Sequence, residues 1–189
     1  DLLRQIGENE SYLCTLIRND LVEEFVAYVS KTNISLSNTR IKSSIFETNS
    51  FLLNKFPTMI EYAAFYGSIS IFLYLRLQKV DLKPSLWLYA IHSNNPDIIH
   101  LLEENHVVPI DTTYKKCYRE AIKCHHNAIA MYIKECLISE TDKNQAINNE
   151  INSQYSISKT IFKYYNYSLM DIKSFDKQIL HFMIKYDYL

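Results

Sequence analysis

A chain of 189 residues, 48% of them hydrophobic, holds enough apolar side chain for a substantial core and is not disordered by composition. Its net charge of −1 supplies no basic stripe of the kind phosphate binding needs, which argues against nucleic acid as a partner. Only two glycines occur, Gly7 and Gly67, which excludes every Gly-rich phosphate cradle and, with just four prolines, points to an all-helical protein.

Residues 12–30, YLCTLIRNDLVEEFVAYVS, read as a helical pair turning at Asn19-Asp20. Residues 31–57 are polar and irregular around one short apolar run, Phe51 to Phe56, and are expected to be an insertion. In TMIEYAAFYGSISIFLYL, Thr58 to Leu75, the residues Ile60, Ala63 and Ala64 mark one face of a first helix. Gly67-Ser68 make a turn, and Ile71, Phe72 and Leu75 mark a second helix.

The arrangement returns in SLWLYAIHSNNPDIIHLLEE, Ser85 to Glu104. Ala90 takes the place of Ala63, Asn94 that of Gly67, and Ile98, Ile99 and Leu102 those of the second helix. Asn is the commonest non-Gly residue at a left-handed helix terminus, and Pro96 suits a first helical turn because its missing N–H costs little there. A third copy, CYREAIKCHHNAIAMYIKE, runs from Cys117 to Glu135 with Ala121, a turn at His125-His126, then Ile129 and Ile133. From Ala63 to Ala90 and from Ala90 to Ala121 the spacings are 27 and 31 residues, room for two short helices and a connector. Residues 139–150, SETDKNQAINNE, read as a polar linker; ISKTIFKYYNYSLM then sets Asn166 after a short helical run. The last eleven residues, ILHFMIKYDYL, read as the first helix of one more unit with Asp187 at its turn.

These units resemble ankyrin repeats, whose pattern is T-P-L-H-x-A-A-x-x-G-H followed by apolar pairs on a second helix. TMIEYAAFYGS keeps Thr58, Ile60, Ala63, Ala64 and Gly67, with Met59, Glu61 and Ser68 in place of the proline and the two histidines. The unit at Ser85 keeps Ala90 and the Ile98-Ile99 pair; that at Cys117 keeps Ala121 and His126. From Leu13 to Leu189 the chain is similar to a divergent ankyrin-like domain of unknown function expanded in certain parasitic protists, through LCTLIRNDLVEEF, IEYAAFYGSISIF, LWLYAIHSNN and IKCHHN. The resemblance implies one all-α, ankyrin-like helical-repeat solenoid over residues 1–189, with about five to six helix pairs. The short spacings and few glycines imply shortened loops, which shifts binding from loop tips to the first helices.

The resemblance also implies a non-catalytic protein–protein interaction module that docks a protein partner on a concave first-helix face. Its expected contact positions are Phe65, Tyr66, His92, Ser93, Lys123, Cys124, Tyr164 and Tyr165, just before each turn. Exposed aromatic side chains there would bring large contact area at small entropic cost, and the chain holds 15 tyrosines. Two other classes stay open: a structural subunit embedded in a large, cytoskeletal assembly, and a ligand-binding or enzymatic helical domain. The first residue is Asp1, not Met, and the last unit stops halfway, so a continuing parent chain or an assembly neighbour is expected to cover the C-terminal end.

No cofactor, metal or catalytic residue is expected. Cys124, His125 and His126 are adjacent, so their side chains diverge instead of converging as zinc ligands or as a thiolate–imidazole pair do. The carboxylates Glu23-Glu24 and Glu103-Glu104 read as solvated faces, and Lys115-Lys116 is too short a run to attract nucleic acid or a membrane. No apolar run approaches the roughly 18–20 residues of a membrane span. Four scattered cysteines and no leader pattern at the N-terminus lead to an expected cytoplasmic location without membrane insertion.

Overall fold

The computed structural model describes residues 7–138, 150–169 and 184, and among these the chain is helical with no strand. One isolated antiparallel bridge joins Arg40 to Thr58. The chain divides into two compact units, Asp1–Ile110 and Asp111–Leu189.

The first unit contains α1 (Tyr12–Arg18), α2 (Val22–Thr32), α3 (Met59–Tyr66), α4 (Ile69–Leu77), α5 (Leu86–Ser93) and α6 (Pro96–Glu104). They form three antiparallel hairpins in chain order. The first helices pack side by side, α1 on α3 and α3 on α5, while α2 packs on α4. Ala63 and Ala90 are fully buried, and their small side chains let α3 and α5 approach closely. Ile71, Phe72, Leu75, Ile98, Ile99 and Leu102 are buried on the second helices, each contributing roughly 1.5–3 kcal/mol.

Local chemistry fixes where these helices begin. Thr58 and Glu61 make a capping box: Glu61 N–H donates to Thr58 Oγ1 (3.3 Å) and Thr58 N–H donates to Glu61 Oε2 (2.8 Å). Asn95 Oδ1 accepts from Asp97 N–H at 3.0 Å, just ahead of Pro96 in the first turn of α6. Residues 33–57 contain no helix, since α2 runs on to Thr32 before stopping at a left-handed Asn33.

Each hairpin turns through a left-handed residue: Asp20 (φ 51°), Gly67 (φ 71°) and Asn94 (φ 52°). Side chains then tie one turn to the next. Ser68 Oγ donates to Ile17 O (2.5 Å), Asn95 Nδ2 donates to Gly67 O (3.4 Å), and both Asp20 carboxylate oxygens accept from Ser70 and Ile71 N–H at 2.9 Å. A Cβ on Gly67 would meet Asn95 at 3.3 Å and Ser93 at 3.4 Å. Gly67→Ala is therefore expected to cost about 1–2 kcal/mol, from left-handed strain on top of the crowding, and to lower the urea midpoint without changing its slope.

The second unit contains α7 (Lys115–Lys123), α8 (Asn127–Tyr132), which continues as one π-helical turn through Ile133–Leu137, and α9 (Glu150–Lys163), followed by a 3-10 turn at Tyr167–Leu169. Helix α7 packs on both α8 and α9. Left-handed residues recur at His125 (φ 59°) and Tyr165 (φ 55°). Asn166, 1% exposed, donates through Nδ2 to Ile122 O at 2.8 Å, the same register as Ser68 on Ile17 in the first unit. Glu150 belongs to a helix, while the remainder of the 139–150 linker and, apart from Ile184, the expected last helix lie outside the described residues.

Candidate interaction surface

In the first unit the expected contact residues gather where α3 and α5 end. Phe65 does not face outward as expected: it is only 7% exposed. Its ring stacks on Phe51 with centroids 5.8 Å apart and on His92 at 5.2 Å. Phe51 comes from the helix-free segment, and it also meets Tyr89 edge-on at 5.1 Å and His92 at 4.0 Å. A ring with no polar group gains by burial, and the apolar run Phe51 to Phe56 supplies the cover. Lys55 Nζ lies 3.2 Å from the Phe51 ring centroid on this assembly, a cation–π contact.

Tyr66, His92 and Ser93 are half-buried. Tyr66 packs on Tyr62 (4.8 Å), and the Arg18 guanidinium stands 5.9 Å from its ring. Arg18 is itself held by Glu8 (2.8 Å) and by the Asn9 carbonyl (2.6 Å). Burial pushes the Tyr66 phenol up to about 12, and raises Tyr62 and Tyr89 as well. Ser93 is engaged in closing the turn, since Oγ donates to Ala90 O at 2.6 Å and accepts from Asn95 N–H at 3.1 Å.

The 49–56 turn belongs to this surface, although its sequence reads as part of a polar, irregular insertion over residues 31–57. Asn49 organises it: its Oδ1 accepts from Phe51 N–H (2.9 Å) and its carbonyl accepts from Leu52 N–H (2.9 Å). Phe51 and Leu52 turn inward, while Leu53 (43% exposed) and Phe56 (60%) stay outside. An Asx residue heading an apolar run is the local signal that marks such a turn.

In the second unit Lys123, Cys124 and Tyr164 are half-buried at the ends of α7 and α9, and Tyr165 is 64% exposed. Lys123 Nζ pairs with Glu120 at 2.9 Å. Partial burial opposes its charge, but the Glu120 carboxylate outweighs that and holds Lys123 above the usual lysine range. Tyr165 meets Tyr167 edge-on at 6.3 Å, and Lys163 Nζ lies 5.4 Å from the Tyr164 ring. A bulky side chain at positive φ is uncommon, so Tyr165 carries strain that Gly67 and Asn94 avoid at the equivalent turn.

Burial pushes Cys117 up to about 12 and Cys124 up to about 11, whereas Cys136 is exposed. Iodoacetamide at pH 8 should therefore label Cys136 first and Cys117 last, followed by intact mass. The same shifts set an alkaline limit. Unfolded thiols and phenols ionise near roughly 8.5 and 10, so the stability contributed by keeping Cys117 and Tyr66 neutral is fully present below those values. It is lost as pH rises toward about 12, and the urea midpoint should fall across that window.

A pocket of 80 Å³ opens beside Glu61, Thr58, Asp81 and Lys83, against roughly 300–1,000 Å³ for a ligand site. The Glu61 oxygens there are already taken by Thr58, Ser85 (2.6 Å) and Arg40 (3.6 Å). Among the described residues, no helix is long and apolar enough to cross a membrane. Comparison with protein-family models, curated proteins and solved structures finds no match for this chain.

Proposed function

We propose that this chain is a non-catalytic protein-recognition module built from ankyrin-like helical hairpins, and that the ends of its first helices hold the partner. The observation that carries this reading is the repeated turn: Ser68 on Ile17 and Asn166 on Ile122 join successive hairpins in the same register. Hairpins linked in this way set the ends of first helices side by side at fixed spacing, which is what a recognition surface needs. Tyr66, His92 and the 49–56 turn form the partner-binding patch of the first unit. Lys123, Cys124, Tyr164 and Tyr165 form that of the second. Phe65 acts from beneath, supporting Phe51 and His92.

Quantitative crosslinking on the intact chain in native extract tests this, comparing wild type with His92→Ala and Tyr165→Ala. Tyr165 is exposed and His92 half-buried at a helix end, so the fold should survive both changes, as circular dichroism checks. The expected result is one protein crosslinked near Lys42, Lys55 or Lys163 and depleted at least about tenfold in a variant. Crosslinks spread over the second helices and unchanged in both variants would instead make the chain a structural subunit held on several faces.

A further inference from the structure

Phe56 is an unusual residue to leave outside. It closes an apolar run whose other aromatic, Phe51, is 9% exposed, yet Phe56 itself is 60% exposed beside Leu53 at 43%. Nor does it sit on a frayed loop. Its carbonyl accepts from Arg40 Nη1 at 3.1 Å, the next carbonyl, Pro57 O, accepts from Ile41 N–H at 2.8 Å, and Lys55 N–H donates to Leu52 O at 3.0 Å. A large ring displayed on a fixed backbone binds with little ordering cost.

The charge around it is one-sided. From Asn33 to Pro57 the charged residues are Arg40, Lys42, Lys55 and a single acid, Glu47. Glu47 is 7% exposed and its Oε1 accepts from Asn49 N–H at 2.9 Å. The antiparallel bridge between Arg40 and Thr58 brings Lys42 level with Phe56. Arg40 stands 3.6 Å from Glu61, but that carboxylate is buried and shared with Thr58 and Ser85, and about half of the Arg40 side chain remains in solvent. The exposed Glu10, from outside this segment, accepts from Ser44 Oγ and keeps its charge. In a chain whose net charge is −1, this segment therefore presents two cations, Arg40 and Lys42, beside an exposed aromatic and a leucine.

We infer that the surface formed by Phe56 and Leu53, rimmed by Arg40 and Lys42, docks an acidic peptide segment that carries aliphatic or aromatic side chains between its carboxylates. The inference rests on the protein-recognition reading and names the chemistry of the partner. Carboxylates complement the rim, and the apolar side chains between them cover Phe56 and Leu53. An anionic bilayer shares part of this chemistry and fits less well. The Lys55 ammonium is folded back over the Phe51 ring at 3.2 Å, where it strengthens a local anchor instead of reaching toward a lipid plane.

Fluorescence anisotropy of the intact chain tests the inference, using three labelled peptides of equal Leu and Phe content that carry Glu, Gln or Lys at the remaining positions. The Glu peptide should bind at least about tenfold tighter than the Gln peptide, weaken with added salt, and leave the Lys peptide unbound. Phe56→Ala should weaken the Glu peptide about tenfold, and Lys42→Glu about threefold or more. Both residues are exposed, so circular dichroism and the fluorescence of the buried Trp87 should match wild type. Equal affinity for the three peptides, or Glu-peptide binding unchanged by Phe56→Ala, overturns the inference. So does Phe56-dependent binding to phosphatidylserine vesicles without peptide binding, which would assign the surface to lipid. A crosslinked partner whose contact segment lacks carboxylates would also defeat it while leaving the recognition module standing.

Discussion

Ala90→Glu should unfold the first unit. Ala90 is fully buried in α5, which packs against α3 on one side and α6 on the other. Glutamate adds volume and a charge at a position that is fully buried between packed helices. Overpacking alone costs about 1–3 kcal/mol, and an unpaired buried charge adds several more. The total is comparable to the roughly 5–15 kcal/mol that hold a domain of ordinary stability together. Trp87, the only tryptophan, lies fully buried in the same helix and reports the loss directly. Its emission should be red-shifted and its urea transition absent at room temperature. Ala90→Ser, nearly isosteric, should keep a cooperative transition at a lower midpoint.

The second large effect is expected at Asn166. Its amide donates to Ile122 O (2.8 Å) and to Asn127 Oδ1 (2.7 Å), and its Oδ1 accepts from Ser168 Oγ (3.0 Å). With the side chain 1% exposed, Asn166→Leu removes these bonds and leaves buried polar groups without water to replace the lost partner. Each such group costs about 1–3 kcal/mol, so a loss of about 2–4 kcal/mol is expected. Hydrogen exchange should quicken in peptides covering 122–127 and 161–169, while the first unit keeps its wild-type rates. If those peptides exchange as in wild type, the turn ladder does not hold α9 to α7.

The hairpins were legible because their signals are local. Alanines that must be small, apolar pairs one turn further on, and Asn94 or Gly67 at a left-handed terminus all lie within a few residues of one another. Ala63, Ala90 and Ala121 are indeed fully buried, as are the second-helix residues Ile71 and Leu102. What the sequence concealed is of two kinds. Lys79, His106, His125 and Tyr165 adopt positive φ, although none is the glycine that ordinarily marks such a position. Hydrogen bonds such as Val80 N–H to Leu75 O (3.1 Å) and Val107 N–H to Leu102 O (2.9 Å) hold helix ends in that conformation without it.

The other concealed feature is long-range. Phe65 was expected outward because its own helix leaves that side open; its cover comes from Phe51, fourteen residues earlier in the chain and outside any helix. Periodicity within a helix carries no information about such a neighbour. Tyr165 is exposed and Tyr66 and His92 are half-buried, whereas the phenyl ring of Phe65 is covered.

Hydrogen–deuterium exchange on the crosslinked or co-purified partner complex tests the central claim most directly, since it reads every backbone segment of the intact chain at once. Recognition by first-helix ends predicts slowed exchange in residues 49–56, 62–66 and 89–93 of the first unit, with the second helices 69–77 and 96–104 unchanged. Protection confined to those second helices, with 49–56 and the first-helix ends exchanging as in the free chain, would contradict it.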